Sequence, residues 1–255
     1  MREPSATEIA EFRRQAIALL RESENDLEAI AFGDDAQPLA VALLYCTILQ
    51  SISECFFLLS QQTITVPGIM RGIFESFADL RAVVRHPKYA GRMLATFYAE
   101  KVRHLENMIE FPTNAYHADV MKQLDPTMEL PRVRAMLKEL EDRDQKPLSN
   151  KGRFVAAELV EEYQSMYWQL CLDSHNNLSA LEDRHYEKRP DGSLGLVLSK
   201  ENSTHDLARY YDGLVGVLLD SAIHVHKLMN TSKASKYEGL LASLQKFRNG
   251  LGSNS

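Results

Sequence analysis

Residues 39–59 read LAVALLYCTILQSISECFFLL, an almost entirely apolar stretch. Its unbroken apolar part covers only about eleven residues, short of the roughly 20 that a membrane-spanning helix needs. A helix that is apolar on all sides belongs in the core of a larger helical protein. The stretch therefore predicts a fully buried central helix, with a membrane span as the weaker alternative.

Helical periodicity continues on both sides of this stretch. Ser5 followed by Glu8 has the spacing of a capping box, and apolar residues then recur at helical intervals. Pro38 suits the first turn of the central helix. Pro87 ends the helix after it, because the residue before a proline is pushed out of the helical region. These signals predict helices at residues 5–32, 38–62, 67–86 and 89–109.

The second half of the chain begins irregularly and then becomes helical again. Three prolines between Phe111 and Pro131 interrupt any long pattern. The run Pro190-Asp191-Gly192 between short alternating segments is a turn signal, and Ser203 or Thr204 caps a later helix with a clear apolar stripe. The predicted elements here are helices at 116–124, 131–142, 153–177, 204–229 and 233–247, and a β hairpin at 186–198.

Together these elements predict an all-α fold, a single-domain bundle of about seven or eight helices with one small β hairpin near 186–198. The 255 residues fall within the roughly 250–300 that one core can reach. Few glycines and prolines leave little room for a turn-rich β protein. We therefore expect one helical domain over residues 1–250 and a disordered tail at 251–255.

Charge and cysteine content bear on partners and compartment. The net charge of −6 gives no general attraction to nucleic acid, so RNA would need a local basic groove. The three cysteines are an odd number, and Cys46 and Cys55 point to opposite sides of one predicted helix. With a polar N-terminus and no disulfide framework, the sequence predicts a cytoplasmic protein without a membrane partner.

The motifs of nucleotide binding, acyl transfer and structural zinc are absent, and no cofactor is predicted. A di-metal site in a bundle needs Glu-x-x-His on two helices. The nearest pair, Glu100 and His104, has the wrong spacing and no second copy, so no metal site is predicted. Arg81 and His86 match the short Arg-x(4–6)-His string of helical HEPN ribonucleases, but so short a string arises by chance.

A polar pair on the third helix is more informative. Arg71 and Glu75 lie opposite the main apolar stripe, in an order that is less favourable for an exposed ion pair. Glu54, in the apolar second helix, must be paired or protonated if it is buried, and Arg71 is its candidate partner. His175 lies near a predicted helix end, at the edge of the face that carries Tyr167. A lone histidine of this kind is more often structural than functional.

Several segments carry a family resemblance. They are Arg71-Gly72-Ile73-Phe74-Glu75, Asp79-Leu80-Arg81, His86-Pro87, Tyr163-x-x-x-Tyr167 and Ser174-His175-Asn176. Together they resemble a bacterial helical family, domain of unknown function five-six-seven-seven, over about residues 39–181. The family pattern contains Ser-x-x-His, whereas Ser174 adjoins His175 directly in this chain. The family name implies no established activity.

Two hypotheses follow. In the first, the candidate residues converge between helices: Arg71, Tyr167 and Glu54 bind a small anion such as phosphate, Glu75 orients it and His175 transfers a proton. An enzyme of this kind would cleave RNA or another phosphoester in a stress or phage-defence setting. In the second, the same groups form a buried network in a non-enzymatic interaction or oligomerisation module, for example a homodimer. Solvent access distinguishes the two, because a ligand site must be open.

Overall fold

A computed structural model describes residues 4–31, 35–61, 66–174, 177–198 and 200–252. These residues are mainly helical, and the strands among them form one two-stranded antiparallel hairpin. The all-α prediction is confirmed. The elements are α1 (Ala6–Glu28), α2 (Ala36–Ser60), α3 (Val66–Arg85), α4 (Tyr89–Glu110), α5 (Ala115–Val120), α6 (Pro126–Asp142), α7 (Asn150–Ala156), α8 (Val160–Glu162), a π-helix (Tyr163–Tyr167), α9 (Trp168–Ser174), α10 (Leu178–His185), β1 (Tyr186–Lys188), β2 (Leu194–Leu196), α11 (Thr204–Leu228) and α12 (Ala234–Gly252).

The chain divides into two compact units, residues 1–84 with 154–255, and residues 85–153. The expectation of one domain over residues 1–250 stays a prediction. In the first unit α11 is the central helix, because α1, α2 and α12 all pack against it. Its buried residues cover more than one face, and include Leu214, Leu218 and Ala222.

The prediction of a fully buried α2 is wrong. One side of α2 is buried through Tyr45, Ile48 and Ile52, whereas Leu43 and Phe57 on the other side are 59% and 66% exposed. The buried side packs against α1 and α11. Among the residues that the structure describes, one helix, α2, is long and apolar enough by composition to cross a membrane. Of its most apolar stretch of 18 residues, 44% is buried.

The second unit has a small core of its own. α4 and α6 pack along each other around Leu105, Met108 and Val133, and side chains of α5 and the segment after it cover this cluster. An ion pair between Lys101 Nζ and Glu129 Oε1, 2.9 Å long, links the two long helices of this unit.

Local sequence signals predict several ends well. Ser5 and Glu8 form the predicted capping box, in which each side chain accepts from the other residue's backbone N–H. The hairpin is confirmed, with Tyr186 paired to Leu196 across the predicted turn. α1 and α2 end at Glu28 and Ser60, before the predicted residues 32 and 62, and α12 continues to Gly252, beyond the predicted end at 247.

The helix predicted at residues 153–177 is interrupted. α7 ends in a Schellman motif, in which Leu159 N–H donates to Phe154 O at 2.8 Å and Glu158 N–H donates to Val155 O at 3.1 Å. Glu158 has a φ of 56°, the left-handed conformation that this motif requires. The chain then restarts as α8, widens into the π-helix and continues as α9.

Candidate functional site

Four polar side chains from α3, the π-helix and α9 come together in the first unit. Arg71 and Glu75 lie one turn apart on α3, with Arg71 Nε 3.2 Å from Glu75 Oε1. Their side chains are 28% and 24% exposed, so the pair is open to solvent. A helical ion pair in contact with solvent contributes only about 0.3–0.5 kcal/mol by itself, so the other contacts of Arg71 and Glu75 decide their role.

Tyr167 links the π-helix to this pair. Its hydroxyl donates a 2.6 Å hydrogen bond to Glu75 Oε1. The ring is buried, and its centroid lies 4.6 Å from that of Phe154 and 5.3 Å from that of Tyr163. Burial, and then the neighbouring Glu75 carboxylate, raise the pKa of Tyr167, so its hydroxyl keeps the proton that it donates.

Arg71 is held by contacts on several sides. Its guanidinium carbon lies 5.9 Å from the centroid of the Tyr167 ring, within cation–π range. Arg71 Nη1 lies 3.5 Å from Ser174 Oγ, a long hydrogen bond, and Ser174 Oγ donates to Cys171 O at 3.1 Å. The Tyr167 hydroxyl and, after it, Glu75 raise the pKa of Arg71, which remains a cation.

The π-helix is the feature that the sequence reasoning missed. The segment Tyr-Gln-Ser-Met-Tyr contains no glycine or proline, and its aromatic spacing is compatible with an ordinary α-helix. In the π-helix, the rings of Tyr163 and Tyr167 stack with an angle of 20° between their planes. Single π turns occur frequently at functional sites. The sequence signal for this π-helix was the aromatic pair Tyr163 and Tyr167, which is too common in α-helices to predict the wider turn.

The structure gives different outcomes for the other candidates. Glu54 lies on the exposed face of α2, where it accepts from Gln50 Nε2 at 3.1 Å rather than from Arg71. The prediction of a buried Glu54 paired with Arg71 is therefore wrong. His175 lies outside the described residues, so its proposed proton transfer stays a prediction.

Two weaker sequence patterns, at Arg81 and at His104, make ordinary structural contacts. Arg81 Nη1 forms a 3.2 Å ion pair with Asp220 Oδ2, and its guanidinium lies over the Phe77 ring, so Arg81 joins α3 to α11. His104 is exposed and its ring contacts those of Tyr116 and His117. Within the described ranges, no group of three or more His, Cys, Asp and Glu side chains could hold a metal ion.

A comparison with models of protein families shows which family the chain belongs to. The model of a family of unknown function (DUF5677) matches residues 39–193, more than half of the sequence, and the chain belongs to this family. The resemblance seen in the sequence is thereby confirmed. The matched range includes Arg71, Glu75, Tyr167 and Ser174. No curated protein and no solved structure matches the chain.

Proposed function

We propose that the chain binds a small phosphate-containing anion at the α3 cluster, with Arg71 as the anion-binding group. The observation that carries the proposal is that Glu75, Tyr167 and Ser174 fix the Arg71 side chain while 28% of it stays exposed. A planar guanidinium held in one orientation suits two oxygens of a phosphate. A network that served only helix register would have no need of solvent access.

The same residues have the chemistry for phosphoester cleavage, which is the finer form of the proposal. Glu75 would accept a proton from an attacking water or hydroxyl group, and Tyr167 would keep its carboxylate oriented. Arg71 would stabilise the charge that develops on the phosphate oxygens. His175, the neighbour of Ser174 in the sequence, is our candidate for protonating the leaving oxygen.

The ligand should be short. The net charge of −6 opposes a long polyanion, and an arginine paired with a carboxylate carries little net charge of its own. Binding then depends on geometry at one phosphate group. A mononucleotide or a short RNA end is a better expectation than duplex nucleic acid.

Calorimetric titration of the full chain with inorganic phosphate and with a mixture of mononucleotides tests this proposal. We expect Arg71→Gln to weaken binding by roughly tenfold or more, since a charge-assisted bidentate contact contributes at least about 1.5 kcal/mol. The matched control is Arg14→Gln, which removes another arginine from a helical ion pair, with Glu11. Arg14 is 72% exposed and remote in sequence from the cluster.

Two results would contradict the proposal. Equal affinity in the Arg71→Gln and Arg14→Gln variants would show that Arg71 is not the binding group. A wild-type chain that binds none of these anions would remove the ligand site altogether. Where binding occurs, hydrolysis of short RNA by wild type but not by Glu75→Gln would support cleavage, and binding without turnover would limit the protein to a binding role.

A further inference from the structure

An exposed stripe runs along almost the whole of α2. At 3.6 residues per turn, Leu39, Leu43 and Phe57 all lie within about 20° of Gln50 around the helix axis. Leu39, Leu43 and Phe57 are 47%, 59% and 66% exposed. Six of the exposed positions repeat with heptad spacing, as in the contact seam of a coiled coil, and Thr47 and Glu54 are exposed beside them. The six are Leu39, Leu43, Cys46, Gln50, Ser53 and Phe57.

The stripe is nearly free of charge. No charged residue occurs from Ala36 to Ser53. The first charged residue, Glu54, accepts a 3.1 Å hydrogen bond from Gln50 Nε2. Soluble proteins rarely leave contiguous apolar surface uncovered, and where they do it commonly marks an interaction site. The central polar residue, Gln50, favours the register in which its amide meets a polar group of the partner helix, because burying an amide without a hydrogen bond costs free energy.

The two ends of the stripe differ in shape in a complementary way. The N-terminal end presents the side chains of Leu39 and Leu43. The C-terminal end borders a hollow between α2 and α3, lined by Ser53, Glu54, Phe57, Leu58 and Ile69. Leu43 and Phe57 are equidistant from Gln50 and about 21 Å apart along the axis. A helix with knobs at one end and a hollow at the other is complementary to its own inverted copy.

We propose that α2 pairs with α2 of a second copy of this chain, antiparallel about a two-fold axis at Gln50. Leu43 of each copy then packs beside Phe57 of the other and enters the hollow next to it. This is an isologous contact, in which one patch serves both subunits and the assembly closes as a dimer. The proposal does not depend on anion binding at Arg71.

The size of the stripe indicates a reversible dimer. From Leu39 to Phe57 it extends about 27 Å. Phe57 alone exposes two thirds of a side chain of a kind that buries about 150–250 Å². A stable dimer of standard size buries roughly 800 Å² from each partner. One face of a single helix with the adjoining hollow stays below that area, so the dimer should dissociate on dilution.

A second copy fits this face better than a lipid surface does. The middle of the stripe carries Gln50, Ser53 and Glu54, which a bilayer would have to take into its apolar layer at a cost. The opposite side of α2 is already packed within the first unit against α1 and α11, so α2 could span a bilayer only by leaving that core. A partner helix instead offers hydrogen-bonding groups to the polar centre.

Sedimentation of the full chain over about a hundredfold range of concentration tests for the dimer. We expect the wild type to shift from monomer to dimer, and Leu43→Glu to raise the dimer dissociation constant by roughly thirtyfold or more. Leu178→Glu, at a leucine that is 71% exposed on α10, is the control and should dimerise like the wild type. Unchanged circular dichroism and melting of the monomer will show that Leu43→Glu still folds.

Disulfide cross-linking distinguishes the orientation. In a Cys46→Ser background, mixed chains carrying Leu43→Cys and Phe57→Cys should cross-link to each other under mild oxidation, whereas Leu43→Cys alone should not. Cross-linking of Leu43→Cys with itself would show a parallel pair and overturn the proposed axis. A monomer at every concentration would overturn the dimer. A third result would also overturn the dimer: the wild-type chain is monomeric and floats with phosphatidylcholine vesicles, and Leu43→Glu abolishes this flotation. Lipid would then be the occupant of the stripe.

Discussion

The hydrogen bond from Tyr167 to Glu75 joins two elements that are 92 residues apart in the sequence. It is 2.6 Å long, and its donor is buried while its acceptor is a quarter exposed. We expect Tyr167→Phe to lower the free energy of unfolding by about 1 kcal/mol, because the ring packing remains and only the bond to a partly solvated carboxylate is lost. Denaturant unfolding of the two chains measures this difference.

Tyr116→Phe is the control, because Tyr116 is 65% exposed and should lose almost nothing. The Tyr167→Phe effect should also shrink when Glu75 is already Gln, since contacting residues are coupled in a double-mutant cycle. An equal loss in the presence and absence of Glu75 would mean that the tyrosine hydroxyl acts elsewhere.

At the residue scale, the site was predictable only where its spacing is local. Arg71 and Glu75 stand one turn apart, so their pairing follows from the α-helix itself. Tyr167 was identified as a candidate, but its contact with Glu75 depends on long-range packing. The error at Glu54 has a visible cause: Gln50, Ser53 and Glu54 lie toward one face of α2, and this grouping already indicates an exposed side.

At the scale of elements, composition suggests α2 as the central buried helix, whereas the structure gives that position to α11. α2 is the more apolar helix, yet α11 is buried on more than one face because three helices pack around it. Hydropathy records how apolar a helix is, and it does not record how many neighbours surround it. The excess apolar surface of α2 is the surface that we assign to a second copy.

The break after α7 can be tested with two substitutions at Glu158, because their order of stability differs between a broken and a continuous helix. Glu158 has a φ of 56°, where any residue with a Cβ is strained and glycine is not. We expect Glu158→Gly to be more stable than Glu158→Ala by about 1 kcal/mol, measured by thermal or denaturant unfolding. Both variants lack the carboxylate, so their difference reports on the backbone alone. In a continuous helix over 153–177, the alanine variant would be the more stable by a similar amount.

At the scale of the whole chain, fold class was predictable because it is the sum of local periodicities. The hairpin at 186–198 and most helices follow from turn residues, caps and apolar spacing. The division at residues 85 and 154 is different in kind, since it depends on which helices pack together. Pro87 lies at one boundary and the polar run from Lys146 to Gly152 at the other, but a turn between two helices of one core has the same composition, so neither segment alone reveals the division.

The first unit contains a mostly buried polar cluster where α1, α11 and α12 meet. Asp26 accepts a 2.8 Å hydrogen bond from the Tyr237 hydroxyl, and Lys233 lies 3.0 Å from its other oxygen. His226 is fully buried, stacks on Tyr237 with 9° between the rings, and has Nδ1 2.8 Å from Thr231 Oγ1. These contacts tie the ends of three helices together, so their ionisation affects the stability of the unit.

Two groups of this cluster, His226 and Asp26, change the stability of the unit in separate acidic pH windows. Burial lowers the pKa of His226, against an opposing effect of Asp26, so the folded chain binds this proton less well than the unfolded chain. Its contribution is therefore lost as the pH falls below the ordinary histidine value near 6.5. Burial opposes ionisation of Asp26, but hydrogen bonds from Lys233, Tyr237 and Lys236 outweigh it and hold its pKa at about 2. Its contribution is lost as the pH falls below about 4.

We therefore expect the free energy of unfolding to be nearly constant between about pH 7 and 9, to fall below about 6.5, and to fall further below about 4. His226→Asn should lower stability at neutral pH, because the ring stack is lost, and should flatten the profile between about pH 7 and 5. His205→Asn, at an exposed histidine in the first turn of α11, should leave that slope unchanged. If the slope between pH 7 and 5 survives in His226→Asn, protonation elsewhere limits the stability of the unit, and the buried histidine would then be only a packing residue.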